Sequence, residues 1–146
     1  MTRKAKASSL TTTIDRWCAK AIKEARNWTC ERCGITAAEH STMPFDWAHN
    51  IGRRHYMVRW DPRNAWVLCR NCHQAVDTSA LEKYRLIQKT IGDGIAEQLL
   101  EKSRQVAGFK EPDKREMITH FKSEYARIRE LREQGVTDNI EVQIWL

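Results

Sequence analysis

Cys30-Glu31-Arg32-Cys33-Gly34, and further along Cys69-Arg70-Asn71-Cys72-His73, are the two stretches that govern how this chain folds. A two-residue spacer lets both sulfurs of a pair face one ion while the backbone turns, and Zn²⁺ takes four such ligands in a tetrahedron. Gly34 suits the tight turn that the first pair needs. The two pairs therefore predict one structural zinc held by Cys30, Cys33, Cys69 and Cys72. The competing reading is a disulfide framework in a secreted domain, but residues 1–13 are basic and polar, without an apolar core of signal-peptide length. Redox pairs of this spacing come singly beside a βαβ pattern, which this sequence does not carry. The fifth cysteine, Cys18, falls on the apolar face of a predicted helix and reads as a buried thiol.

On either side of these pairs, the pattern is that of a single α+β domain in which the zinc-stabilised core has flanking helices. Residues 1–13 mix Ser and Thr with scattered Lys and Arg, and read as a disordered basic tail. Ile14, Trp17, Cys18, Ala21, Ile22, Ala25 and Trp28 recur at three- and four-residue steps, which predicts an amphipathic helix ending at the first cysteine pair. Residues 45–50 and 56–60 are rich in strand-forming side chains, separated by Gly52 and arginines, and predict a hairpin or a looser two-strand element. Asp61-Pro62-Arg63-Asn64 is a turn by composition, and a strand-like run over residues 65–68 leads into Cys69.

Beyond Cys72 the sequence turns helical. Ser79 and Glu82 have capping-box form ahead of Leu81, Tyr84, Ile87 and Ile91, and Gly92-Asp93-Gly94 breaks that helix. Ile95, Leu99 and Leu100 predict a second helix. Asp113 and Glu116 cap a third, in which Met117, Phe121, Tyr125, Ile128 and Leu131 keep helical spacing until Gly135. Residues 140–146 read as a strand or as no regular element. The expected division is therefore residues 14–79 as helix plus zinc-bound core and residues 80–146 as a helical extension of the same domain. No stretch approaches the apolar length of a membrane span, and no membrane partner is expected.

The net charge of +6 says less than its distribution. Between His49 and His73 lie Arg53, Arg54, Arg59, Arg63 and Arg70 against the single acid Asp61, with no lysine. A guanidinium grips phosphate oxygens bidentately, whereas an ammonium acts as a point charge. These five are the expected DNA contacts, and the plainer reading is arginines that merely solubilise a hairpin. Phosphodiester hydrolysis needs a deprotonated water, a cation to hold the crowded negative charge, and fixed geometry. An imidazole suits the first task because its ordinary pKa lies near working pH.

The order His49, Asn64, His73 within a four-cysteine frame resembles the HNH nucleases. Their core is a treble clef, the ββα-metal arrangement, with a knuckle and hairpin followed by a helix carrying the last ligands. The resemblance implies that His49 activates the water, Asn64 braces the loop, and His73 ligates a divalent metal at the start of the helix. Many members place an acid or a second histidine just before the base; this chain has Ala48 there. Asp46 and Asp77 are the carboxylates expected to complete the metal site. Asp77 follows His73 by four residues and shares its face if the helix persists that far, although Ser79 argues for an earlier end. Oxygen ligands of this kind favour Mg²⁺ or Mn²⁺ over a second zinc.

A narrower resemblance rests on Ala48-His49-Asn50-Ile51-Gly52-Arg53, Val58-Arg59-Trp60-Asp61-Pro62-Arg63-Asn64 and Cys69-Arg70-Asn71-Cys72, continuing through Lys83-Tyr84-Arg85-Leu86-Ile87 to Ile91-Gly92. Together these are similar to the NinG (Rap) recombination proteins of lambdoid phages, over about residues 14–134. His73 departs from that family, in which asparagine is expected, and lies nearer the general HNH form. The resemblance implies an endonuclease on branched DNA such as Holliday junctions, D-loops and flaps, working in a bacterial cytoplasm as a phage or prophage product. It leaves room for a recombinase partner, and for a homodimer through the helices after residue 79, since resolving a junction takes two incisions. Two other readings stay open: an HNH nicking or restriction-type enzyme on linear duplex, and a zinc-stabilised DNA-binding module without catalysis.

Overall fold

Ser9 opens the first helix by accepting a hydrogen bond from the Thr12 backbone N–H at 3.1 Å. The computed structural model describes residues 9–37 and 44–146, and this helix, α1, spans Leu10–Ala25. It begins earlier than its apolar periodicity implies, because the cap precedes the first buried residue, Ile14. The tail expected over residues 1–13 therefore loses its last residues to α1, and residues 1–8 lie outside the described chain. The helix also stops short of Trp28: Asn27 and Trp28 have positive φ, which turns the chain into the cysteine knuckle.

Strand β1, Asp46–His49, pairs antiparallel with β2, Ala65–Leu68, in the register Asp46 to Leu68, Trp47 to Val67, Ala48 to Trp66 and His49 to Ala65. This corrects the expected hairpin. The stretch following His55 is a short helix, α2, Tyr56–Arg59, and not the partner strand. A run this short carries either period, and burial decides the outcome. All four residues of β2 are buried, whereas Val58 is the sole buried residue of α2. A 3₁₀ turn over Pro62–Asn64, capped by Asp61, joins α2 to β2.

Three helices follow β2 closely: α3, Arg70–Thr78; α4, Ala80–Thr90; and α5, Gly92–Ser103. Ser79 ends α3 and caps α4 by accepting from the Glu82 N–H. The return half of the expected capping box is missing because the Glu82 carboxylate goes to Arg32 and Arg85 instead. Gly92 alone makes the break, with φ +76°, and Asp93 and Gly94 already belong to α5. The long α6, Glu111–Glu133, lies along α1. Met117, Phe121 and Ile128 of α6 join Ile14, Cys18, Ala21, Ile22 and Ala25 of α1 in one core with Trp47, β2 and Leu86 of α4. Arg132 of α6 donates to the last carbonyls of α1, Glu24 at 3.1 Å and Ala25 at 2.9 Å, meeting acceptors that a helix end leaves open. Residues 140–146 form no regular element, yet Val142 is buried and Gln143 N–H donates to Glu124. Among the described residues no helix is long and apolar enough to cross a membrane.

Candidate metal centre and the histidine site beside it

The first cysteine pair sits in a turn closed by Gly34 N–H to Cys30 O at 2.9 Å and Cys30 N–H to Ile35 O at 2.8 Å, with Thr29 and Thr36 bridged behind it. Gly34 has φ +83°, a conformation that costs a glycine little. Glu31 ties this knuckle to β2: its N–H donates to Val67 O, and its carboxylate accepts from Val67 N–H and from Arg26. Cys69 caps α3 and Cys72 follows in its first turn. The fold thus carries two pairs that are distant in sequence to one place.

The four sulfurs lie within 4.8 Å of one another and none is in a disulfide. A tetrahedral zinc with bonds of about 2.3 Å requires neighbouring sulfurs about 3.8 Å apart, and Cys33 Sγ is 3.8 Å from Cys69 Sγ. Bonded sulfurs would sit near 2.05 Å. The donor set and spacing fit zinc, so the chain carries a four-cysteine metal-binding cluster. Without an ion the thiols cannot all ionise together. Burial pushes Cys72 up to about 12, while at Cys30 burial is outweighed by backbone N–H donors, which bring it to about 7. Arg32 donates to Cys72 Sγ at 3.4 Å and pairs with Glu82, placing a fixed cation beside a cluster that would carry excess negative charge when loaded.

His49 ends β1 with its ring edge-on to Trp47, the centroids 4.2 Å apart. Its Nε2 donates to the Arg59 carbonyl at 3.1 Å. A carbonyl only accepts, so that nitrogen holds the proton and Nδ1 of the neutral ring is the basic position. Burial lowers the pKa of His49 to about 4, with help from the nearby Arg53 and Arg59 charges, so the ring is neutral at neutral pH. Asn64, wholly buried, staples the loop: Oδ1 accepts from Ile51 N–H at 2.9 Å, and Nδ2 donates to Ile51 O at 2.9 Å and Val58 O at 3.1 Å.

The third member of the trio stands apart from these two. His73 Nδ1 lies 2.9 Å from Asp46 Oδ2, and its Nε2 lies 3.4 Å from Asp77 Oδ2. Helix α3 persists through Thr78, which keeps Asp77 on the His73 face. Strand alternation places Asp46 on the face of β1 opposite to that of His49 and Trp47. The structure therefore joins His73 with Asp46 and Asp77 and brings His49 to Asn64's loop. Among the described residues, the cysteines are the only set of three or more such ligands that converges closely enough to enclose an ion.

The five arginines divide. Arg59 forms a two-point pair with Asp15 of α1, at 2.6 and 3.0 Å, and Arg63 a two-point pair with the buried Asp61. Both were expected to grip DNA, and both forks are committed to carboxylates inside the molecule. Arg53 rests against the Trp47 ring, Arg54 donates to His55, and Arg70 is exposed, 3.8 Å from Asp46. Sequence reasoning missed Asp15, which also accepts from Trp60 Nε1 at 2.8 Å and so holds the segment whose carbonyl orients His49. It missed Lys102 too, which joins Arg63 on Asp61. Asp61 stays below the usual carboxylate range because these cations outweigh its burial. No local motif marks either residue, since each contact spans more than 40 positions.

Comparisons with protein families, with curated proteins and with solved structures returned no match.

Proposed function

We propose that this protein is a metal-dependent DNA endonuclease of the HNH kind, built on a treble-clef zinc frame and selective for branched recombination intermediates. The observation that carries the reading is His49: a half-buried, neutral imidazole whose Nε2–H is held by the Arg59 carbonyl, leaving Nδ1 to take a proton. It stands on the strand paired to the segment that leads into the four-cysteine cluster. In this reading Nδ1 accepts a proton from the attacking water. Asn64 keeps the connecting loop in register, and Arg53 and Arg70 contact phosphate. His73 with Asp46 or Asp77 would hold Mg²⁺ or Mn²⁺, a donor set that suits a hard ion retaining several waters. That ion would supply charge stabilisation at the phosphate. Asp46 then takes the part that Ala48 lacks the atoms to play.

Branch selectivity rests on the similarity to the NinG proteins and on surface cations that recognise phosphate and shape and do not read bases. Two incisions call for two sites, and a second copy would add the other; Leu81, Tyr84 and Leu100 are the apolar side chains left exposed on α4 and α5. A second reading, a zinc module that binds DNA without cutting it, is favoured by the pairwise nature of the His73 contacts. The test is purified protein with four-way junction, flap and matched linear duplex, with and without Mg²⁺, alongside His49→Ala. The proposal expects Mg²⁺-dependent cutting, faster on the branched substrates, that the variant loses while keeping DNA affinity. Cutting by His49→Ala at the parent rate would remove the assigned base, and no cutting by the parent under any condition would leave the binding module.

A further inference from the structure

Arg16, Lys20 and Lys23 stand at i, i+4 and i+7 on α1, where like charges repel one another across successive turns. The helix offers them no relief, because its two acids are already engaged: Asp15 with Arg59 and Glu24 with Arg129. Among the described residues no carboxylate forms an ion pair with these three, nor with Lys122 of α6. The lysines lie on aromatic rings instead. Lys20 Nζ is 4.9 Å from the Trp17 ring centre and 4.8 Å from that of Tyr125, and Lys122 Nζ is 5.3 Å from the same Trp17 ring. Two ammonium groups thus share one indole across the α1–α6 seam. Arg16, Lys20 and Lys122 are exposed, whereas Lys23 is half-buried against Trp28.

We propose that Arg16, Lys20, Lys23 and Lys122 form a ridge that binds the sugar–phosphate backbone of a DNA duplex, gripping one arm of the substrate while a second arm enters the proposed cutting site. Phosphates would relieve the like-charge repulsion that the protein itself leaves unrelieved. From Arg16 to Lys23 the helix rises about 10 Å, room for about three phosphates of one strand. An anionic bilayer would attract the same cations, but α1 buries its apolar face against α6 and keeps none to enter a membrane. The binding half of this inference stands alone; the placement of a second arm rests on the nuclease reading.

The test measures fluorescence anisotropy with a four-way junction and a linear duplex across several salt concentrations, for the parent protein and for Lys20→Ala/Lys122→Ala, whose folding is checked by circular dichroism. The folded variant should bind both DNAs roughly tenfold more weakly, and the slope of log K against log salt should fall by about 2, near 0.9 for each phosphate that is no longer neutralised. Unchanged affinity and slope in the folded variant, or a parent protein that binds neither DNA, would overturn the ridge. So would a variant that loses binding to phosphatidylserine vesicles while keeping its DNA affinity. His49→Ala, taken through this binding assay and the cleavage assay, separates the two claims: if it cuts like the parent, the assigned base fails and the ridge is still judged by the lysine variant. If it binds with the parent slope and, unlike the parent, does not cut, the nuclease reading holds, and the ridge is again judged by the lysine variant alone.

Discussion

The cysteine cluster and the histidine site both draw on α3, through Cys72 and His73, yet they are built by different means. Around the cysteines, four like ligands converge and a backbone turn, a helix start and Glu31 all hold the same geometry. Around the histidines the contacts are pairwise: His49 to one carbonyl, His73 to two carboxylates, and Asn64 to the loop between. A tetrahedral set of thiolates stabilises a fold when it holds its ion, whereas the catalytic centre proposed for the second region would have to leave room for water and substrate. The first region therefore carries stability, and the second is carried by it.

The severest challenge to this contrast is to remove the metal. Chelation, or Cys69→Ser, should abolish cooperative unfolding, since structural zinc contributes on the order of 10 kcal/mol in small zinc domains. Near-ultraviolet circular dichroism and zinc content per chain measure it, and a chelated protein that keeps its melting temperature would deny the cluster its structural role. Next comes Asn64→Ala, which strands the Ile51 N–H and the Ile51 carbonyl and takes one of two donors from the Val58 carbonyl. A loss of about 3 kcal/mol is expected from denaturant titration, and a change within error would show that the loop holds itself.

Asp15→Ala asks whether the histidine site depends on α1. Releasing Arg59 and Trp60 should cost about 1–3 kcal/mol and loosen the carbonyl that orients His49. The ring ¹⁵N shifts of His49 report it: a mixture of tautomers is expected in place of one, and unaltered shifts would detach Asp15 from the site. The pH dependence is of comparable size. His49 is held at about 4 against an ordinary 6.5, so its neutral form is the one the fold favours. Its contribution to stability is complete above about 6.5 and is lost as pH falls toward 4. The acid limb of kcat/KM should likewise lie near 4; a limb at 6.5 would mean that another group is the base. Smallest is Arg70→Ala. This exposed residue should shift stability by no more than about 0.5 kcal/mol while lowering the salt slope of DNA binding by about 0.9. The reverse pattern would make it a structural residue like Arg59.

Legibility followed the range of each interaction. The Ser79 cap, the glycine in the knuckle, the strand leading into Cys69 and the long final helix are written in neighbouring residues, where spacing and local hydrogen bonding leave few choices. The expected strand over residues 56–60 failed for the opposite reason. A handful of mixed apolar residues fits either period, and the decision came from which run β1 could bury. The engagement of Arg59 and Arg63 was hidden in a similar way, because free and engaged guanidinium groups are identical in sequence. Asp77 came out closer to His73 than the Ser79 signal implied, since one residue served both as the end of α3 and the cap of α4.

The metal chemistry was already written in the chain: two closely spaced cysteine pairs can face one ion whatever lies between them, because the spacer is covalent and the ligand preference is intrinsic to zinc. Packing alone determined which cations remain available to an anion, which carboxylates meet His73, and which carbonyl sets the His49 tautomer. Those outcomes depend on groups brought together across tens of residues, and burial and charge at such meetings are properties of the packed molecule that no local pattern encodes.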